Sequence, residues 1–238
     1  MLSLNSGDVH IWTARLPLGN TSKFYLDLSS VERDRADRFH FSKDRAVYLF
    51  AHAVLRDVLS RYLHCLPGDL EFEVSAFGKP FLSKAAGARK LEFNLSHAGS
   101  LIVIGLSANR SIGVDVEEIQ MVSEISLIAQ SYFSPEECTF VFQQASSDQE
   151  WAFFRCWTRK EAYIKAIGKG LSIPLNSFDT LIPNGQAGKL LVGGPDIPGG
   201  GDWWLEDLEL PKPYIGAVAV QNGTDRMIYF EWCRDEER

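Results

Sequence analysis

The stretch Ile112-Gly113-Val114-Asp115-Val116-Glu117 alternates apolar and acidic residues, and it is answered later by Trp157-Thr158-Arg159-Lys160-Glu161-Ala162-Tyr163-Ile164-Lys165. A period of two marks a half-buried strand, so Asp115 and Glu117 share one face. The second piece reads as a helix, whose i, i+4 spacing stacks Trp157, Glu161 and Lys165 along one side. Two carboxylates from a strand and a third from a helix can converge on one point. With a lysine beside them they form a candidate Mg²⁺ site for a phosphate-bearing substrate. Mg²⁺ takes few protein carboxylates and completes its octahedron with phosphate oxygens and water.

Around these pieces the chain has 238 residues, 45% hydrophobic and 23% charged, the make-up of an ordinary soluble globular protein. That length leaves one large domain or two small ones open. The formal charge of -7 argues against broad nucleic-acid binding, which wants a basic face. A partner that is itself acidic has to be met by cations gathered locally, and one such gathering lies between Glu32 and Arg61. No apolar run approaches the ~20 residues of a membrane span, and the first residues lack the basic and apolar regions of a signal peptide. Cys65, Cys138, Cys156 and Cys233 form no CxxC pair and have no histidine at metal-ligand spacing. They read as buried thiols in a reducing compartment, and the cytoplasm is the expected location.

Taken in order, Val9–Leu16 alternates like a strand and stops at Pro17. Ser29 and Glu32 open a helix with a serine cap and an acidic first turn. Ser42 opens a longer one, whose apolar face runs from Val47 to Leu63 and which ends at Pro67-Gly68. Phe72–Val74 is a short strand, and Gly78-Lys79-Pro80 is a turn that presents Lys79. Residues 85–90 read as a flexible loop. Leu91–His97 and Leu101–Ser107 form a hairpin-like pair, with Ser96 and His97 at the end of its first strand. Ser123–Gln130 is helical. Phe133-Ser134-Pro135-Glu136-Glu137 is a helix start with a capping box, which by itself explains Glu137. The helix from Glu150 to Ile167 is stopped by Gly168-Lys169-Gly170, and Leu171–Leu175 reads as extended. Residues 184–201 read as loops and short edge strands. Residues 203–210, 214–220 and 227–232 read as closing strands, with a charged tail after them.

The expected architecture is α+β, with two similar lobes, 1–108 and 109–238, and a substrate cleft between them. No sequence repetition between the halves stands out. Taken singly, each candidate residue has a structural explanation. Asp115 and Glu117 can edge a strand, Glu161 and Lys165 can be an i, i+4 pair worth only ~0.3–0.5 kcal/mol, and Lys79 and His97 can be solvated turn residues. Taken jointly and in order, function is the better reading.

With Gly78-Lys79-Pro80, Phe93-Asn94-Leu95-Ser96-His97, Ile112–Glu117, Phe133-Ser134-x-x-Glu137, Trp157–Lys165 and Gly168-Lys169-Gly170-Leu171 in this order, the chain resembles the Sfp-type 4′-phosphopantetheinyl transferases. The resemblance spans roughly residues 38 to 175 and carries no motif in the last sixty. It implies lobes related by pseudo-twofold symmetry with coenzyme A and Mg²⁺ (or Mn²⁺) between them. The implied reaction moves the phosphopantetheine arm to a serine of an apo carrier protein and releases adenosine 3′,5′-bisphosphate.

By resemblance, Asp115, Glu117 and Glu161 are the metal ligands and Lys165 the pyrophosphate contact. Lys79, Ser96, His97, Glu137 and Lys160 are counted with the coenzyme contacts, Arg45 more loosely, and Arg38 most loosely. Lys165 neutralises developing charge, and Glu161 or Glu117 takes the serine proton, with the choice open. Arg33, Arg35, Arg38 and Lys43, or Lys160, Lys169 and apolar residues near 123–142, are candidates for docking the carrier. A monomer is expected, with no nucleic-acid or membrane partner. Two competing classes are a non-catalytic coenzyme A-binding regulator and a carrier-binding module without chemistry.

Overall fold

The structure, a computed structural model, describes residues 2–83, 91–181, 189–190 and 202–234. The loop expected at 85–90, most of that expected at 184–201, and the tail beyond 234 lie outside the described residues. The first half runs β1 (Asp8–Arg15), α1 (Ser30–Ala36), α2 (Ser42–Leu63), a small pair β2 (Phe72–Val74) and β3 (Pro80–Leu82), then β4 (Leu91–Ala98) and β5 (Leu101–Ala108). The second runs β6 (Ile112–Glu118), α3 (Ile125–Tyr132), α4 (Pro135–Phe142), α5 (Gln149–Ile167), β7 (Lys189–Leu190), β8 (Trp203–Asp207) and β9 (Tyr214–Gln221). A last strand, β10 (Arg226–Glu231), follows. Where an extended run was expected over 171–175, the chain makes short 3₁₀ turns at Gly170–Ser172 and Leu175–Ser177. Among the described residues no helix is long and apolar enough to cross a membrane.

Strand order is β10-β1-β5-β4 in one sheet and β6-β9-β8-β7 in the other. Each half therefore lays down a strand, then helices ending in a long one, then antiparallel strands, and pairs its first strand with its last. This is a repeat of topology that the residues themselves do not advertise. The expected boundary at 108/109 falls in the turn where the chain leaves the first sheet for the second. β10 then crosses back and pairs parallel with β1, Asp8 opposite Arg226.

Alternation along the strands explains the layering. On β1 and β5, Trp12, Ala14, Ile102, Ile104 and Leu106 pack against α2, with Phe50, Val54 and Val58 in the same core. The opposite parity, Val9, Ile11, Leu101 and Val103, meets Ile112, Val114 and Val116 of β6 and Val218 and Val220 of β9. The far face of the second sheet, Leu205, Ala217 and Ala219, is covered by Ala162, Tyr163 and Ala166 of α5. The molecule is thus four layers deep: helix, sheet, sheet, helix. Two glycines permit it. A Cβ at Gly105 would collide with Val114 and Ile112, and one at Gly113 would run into the Ala162 carbonyl and the Ala166 backbone.

A buried brace recurs in each half. Ser29 and Glu32 form the capping box of α1, and Glu32 accepts from Arg56 Nε of α2 at 2.7 Å. Ser134 and Glu137 form that of α4, and Glu137 pairs with Lys160 Nζ of α5 at 2.7 Å. Each cation also donates to two carbonyls downstream of its helix: Arg56 to Pro67 and Leu70, Lys160 to Leu175 and Phe178. The long helix is tied in both cases to the loop that follows it.

Candidate active site

Because Gly113 lets α5 settle directly on β6, the residues that share its face of the strand, Asp115 and Glu117, turn toward Glu161 and Lys165, each the residue before one of the two alanines at that contact, Ala162 and Ala166. These four side chains, with Ser96, His97 and Trp157, line one cavity of about 440 Å³. Ser96 and His97 come from β4, so both halves contribute to its wall.

Asp115 is the fixed point. Its Oδ1 accepts from Lys165 Nζ at 2.6 Å and from Ser96 Oγ at 3.0 Å. Lys165 Nζ also donates to Ser96 Oγ at 3.1 Å, which leaves one ammonium proton for a ligand. Oδ2 of Asp115 is buried and has no partner. Burial pushes the Asp115 carboxyl above its ordinary value against the pull of Lys165 and Ser96. Burial also raises Glu117, to about 7, and the charges of Asp115 and Glu161 add to it. Glu161 is raised by burial and by Asp115. A buried acceptor without a partner, in a pocket whose carboxylates disfavour one another's charge, is chemistry that a cation would satisfy. The donor set is hard oxygen, which suits Mg²⁺ or Mn²⁺. Among the described residues no group of three His, Cys, Asp or Glu side chains is placed to hold a metal ion as it stands.

Two further cavities adjoin the first. One of about 500 Å³ shares Leu95 and His97 with it and is lined by Arg35, Lys43, Tyr48 and His52. The other, about 270 Å³, shares Leu95, Glu161 and Lys165 and is lined by Phe77 and Lys79. His97 is exposed where the first two meet; desolvation and the Lys165 charge push its imidazole below the ordinary value.

Several expected site residues are placed differently. Glu137 and Lys160 are fully buried against each other; Glu137 also accepts from Ser134 N and from Thr180 N and Oγ1. Neither lines any of the three cavities: their hydrogen-bonding capacity is spent inside the fold. Lys79 lines the third cavity, but its ammonium turns inward to the Ile112 and Ala166 carbonyls, both at 3.0 Å, and burial lowers its pKa to about 8. Arg45 is bound to Asp37 at 2.8 Å outside the cavities, and Arg38 Nε is used by the Asp34 carbonyl. Sequence reasoning passed over Tyr48 and His52 as cavity residues, although their i, i+4 spacing on α2 places them on one side.

A family profile described as the 4′-phosphopantetheinyl transferase superfamily matches residues 111–219. A second, described as 4′-phosphopantetheinyl transferase, N-terminal, matches residues 20–109. The chain is 35% identical over 223 residues to the 4′-phosphopantetheinyl transferase HetI of Nostoc sp. strain PCC 7120, covering 92% of this chain and 90% of that one. It is 30% identical over 174 residues to the 4′-phosphopantetheinyl transferase Sfp of Bacillus subtilis strain 168, covering 73% and 74%.

Proposed function

The chain belongs to the 4′-phosphopantetheinyl transferase family, and from that premise we propose that it transfers the 4′-phosphopantetheine arm of coenzyme A to a serine of an apo carrier protein. The observation that carries the reading is the cavity in which Asp115, Glu117, Glu161 and Lys165 of one half meet Ser96 and His97 of the other. In the reaction, the serine oxygen bonds to the phosphorus bearing the pantetheine arm. The bond from that phosphorus to the bridging oxygen breaks, and this oxygen departs on adenosine 3′,5′-bisphosphate.

Lys165 is already oriented by Asp115 and Ser96, so it can present its remaining proton to a phosphoryl oxygen without reorganising as charge develops. Glu117 or Glu161 takes the serine proton. Asp115, Glu117 and Glu161 would hold Mg²⁺ or Mn²⁺, which when bound neutralises and polarises the pyrophosphate oxygens. His97, with Arg35 and Lys43 in the adjoining cavity, gathers cationic and hydrogen-bonding groups for the rest of the coenzyme. In this division the first half, 1–108, serves mainly the coenzyme, and the second, 109–238, the metal and the proton transfer. Met121 and Leu127 are exposed, as is Tyr132, which packs edge-on against Trp157 of the cavity. They offer an apolar docking face for the carrier. The working unit is a cytoplasmic monomer.

The test is mass spectrometry of an apo acyl carrier protein incubated with the protein, Mg²⁺ and coenzyme A, beside an Asp115→Ala control. A gain of one phosphopantetheine (~340 Da, a covalent modification) that is lost in the control supports the reading. No gain on several unrelated carriers, despite tight coenzyme A binding, overturns it in favour of a regulator.

A further inference from the structure

β6 is the edge strand of the second sheet, yet its outer edge faces protein. Ile112 and Val114 are wholly buried and Val116 is 1% exposed. Among the described residues no backbone strand pairs with that edge. Side chains of the first half take its place. Lys79 Nζ donates to Ile112 O at 3.0 Å, Asn94 Oδ1 accepts from Val114 N at 2.9 Å, and Ser96 Oγ accepts from Val116 N at 3.4 Å.

The acceptors Asn94 and Ser96 stand two residues apart on β4, as do the amides of Val114 and Val116 on β6, so the two strands share one repeat. A slip of one residue would bring the wrong set of amides to these acceptors and turn the acidic residues to the other face. A slip of two would put Glu117 where Asp115 meets Lys165. Lys79 adds a second restraint. Its other bond, at 3.0 Å, goes to Ala166 O in the last turn of α5, where a cation suits the carbonyl end of a helix. Gly168 leaves room for its stem, since a Cβ there would lie 3.0 Å from Lys79 Cδ.

We propose that Lys79 and Asn94, together with Ser96, are positioning residues: they set the register of β6 and seat α5 on it, so that Asp115 is the carboxylate that bonds Lys165. This goes beyond the transferase reading, on which only the kinetic arm of its test rests.

The test uses the full chain carrying Lys79→Met, Asn94→Leu, or Lys79→Arg as the conservative change. Turnover and the KM for coenzyme A are measured with an apo carrier, and amide hydrogen exchange is followed residue by residue. Lys79→Met and Asn94→Leu are expected to lower kcat at least about tenfold, the scale of a small misplacement of reacting groups, with KM for coenzyme A changed less than about threefold. Lys79→Arg should recover most of the loss. In Asn94→Leu the Val114 amide should exchange at least about tenfold faster while that of Val220 holds its rate. A large rise in KM with kcat preserved would make Lys79 a coenzyme contact and overturn its role here. An unchanged Val114 exchange rate in folded Asn94→Leu would remove the register argument; should that variant not fold, Asn94→Ala is read the same way. If the unaltered protein modifies no carrier, the transferase reading fails, and the exchange measurement still decides this one.

Discussion

Ser29, Glu32 and Arg56 in one half, and Ser134, Glu137 and Lys160 in the other, are the same device built twice. Each has a capping-box glutamate, a cation from the long helix, two downstream carbonyls and an aromatic ring beneath the cation: Phe72 for Arg56 and Phe178 for Lys160. They differ at the carboxylate. Glu32 also accepts from His52 Nδ1 at 3.0 Å, and His52 packs at a tilt against Tyr48 in the wall of the larger cavity. Glu137 gives its other oxygen to Thr180 and is sealed. One brace borders a ligand-sized space and the other is purely interior. A second contrast runs along the first strands. β1 turns His10 and Trp12 toward α2, where both meet the Tyr62 hydroxyl at 2.6 and 2.9 Å. β6 turns Asp115 and Glu117 toward α5. One topological place holds an aromatic knot in the first half and a charged cavity in the second. The two halves also differ in what flanks these strands: β10 closes the edge of β1, and among the described residues side chains close that of β6.

The strongest break in this contrast should come from Asp115→Ala. Losing that charge and ligand should lower turnover by at least about 10²–10³-fold, the scale of one removed charge-stabilising group, while thermal unfolding changes little. A retained rate would end the assignment of the site to the second half. Next comes Glu137→Gln, which strands a buried ammonium and should destabilise the fold by about 3–5 kcal/mol. The KM for coenzyme A of the surviving folded protein should be unaltered; a raised KM at unaltered stability would return Glu137 to the ligand.

Glu32 should show a milder, pH-dependent version. Burial is the largest single influence on it and acts to raise its pKa. The hydrogen bonds from His52 and Ser29 and the Arg56 charge together outweigh burial and hold it at about 2 against an ordinary 4.5. Because folding lowers this pKa, the stabilisation is complete above 4.5 and is lost as pH falls toward 2. It amounts to about 3 kcal/mol. Chemical denaturation of Glu32→Gln and the unaltered protein should therefore converge at acid pH; parallel curves would refute it. Smallest is Tyr62→Phe, which leaves His10 and Trp12 without their shared partner. It should cost about 1–2 kcal/mol and leave kcat unmoved, whereas a fallen kcat would mean the aromatic knot reaches the chemistry.

The β6 alternation and the α5 spacing were legible because each is local: period two and i, i+4 assign faces directly, and Gly113 between them gives the contact. The capping boxes were legible for the same reason. What a pattern of residue types does not carry is where a long side chain ends. Lys79 reads as a presented turn lysine but reaches back to two carbonyls; Lys160 sits in the same motif as Glu161 but points into the core, to the Leu175 carbonyl. The repeated brace was invisible as repetition because arginine and lysine do the same work in it, and only its geometry is shared. The pairing of β10 with β1 has no local signature at all, since its partners stand at opposite ends of the sequence.

That last pairing bears on how the molecule comes into being. Asp8 and Arg226, 218 positions apart, are joined by two hydrogen bonds. At ribosomal speeds of about 5–20 residues per second, β1 is made roughly 10–40 s before the strand that covers its edge. Until then the first sheet has an open flank during synthesis, available to any passing strand. The contact that closes it can form only after β10 has been made, so the first strand made in this sheet is completed by the last one made.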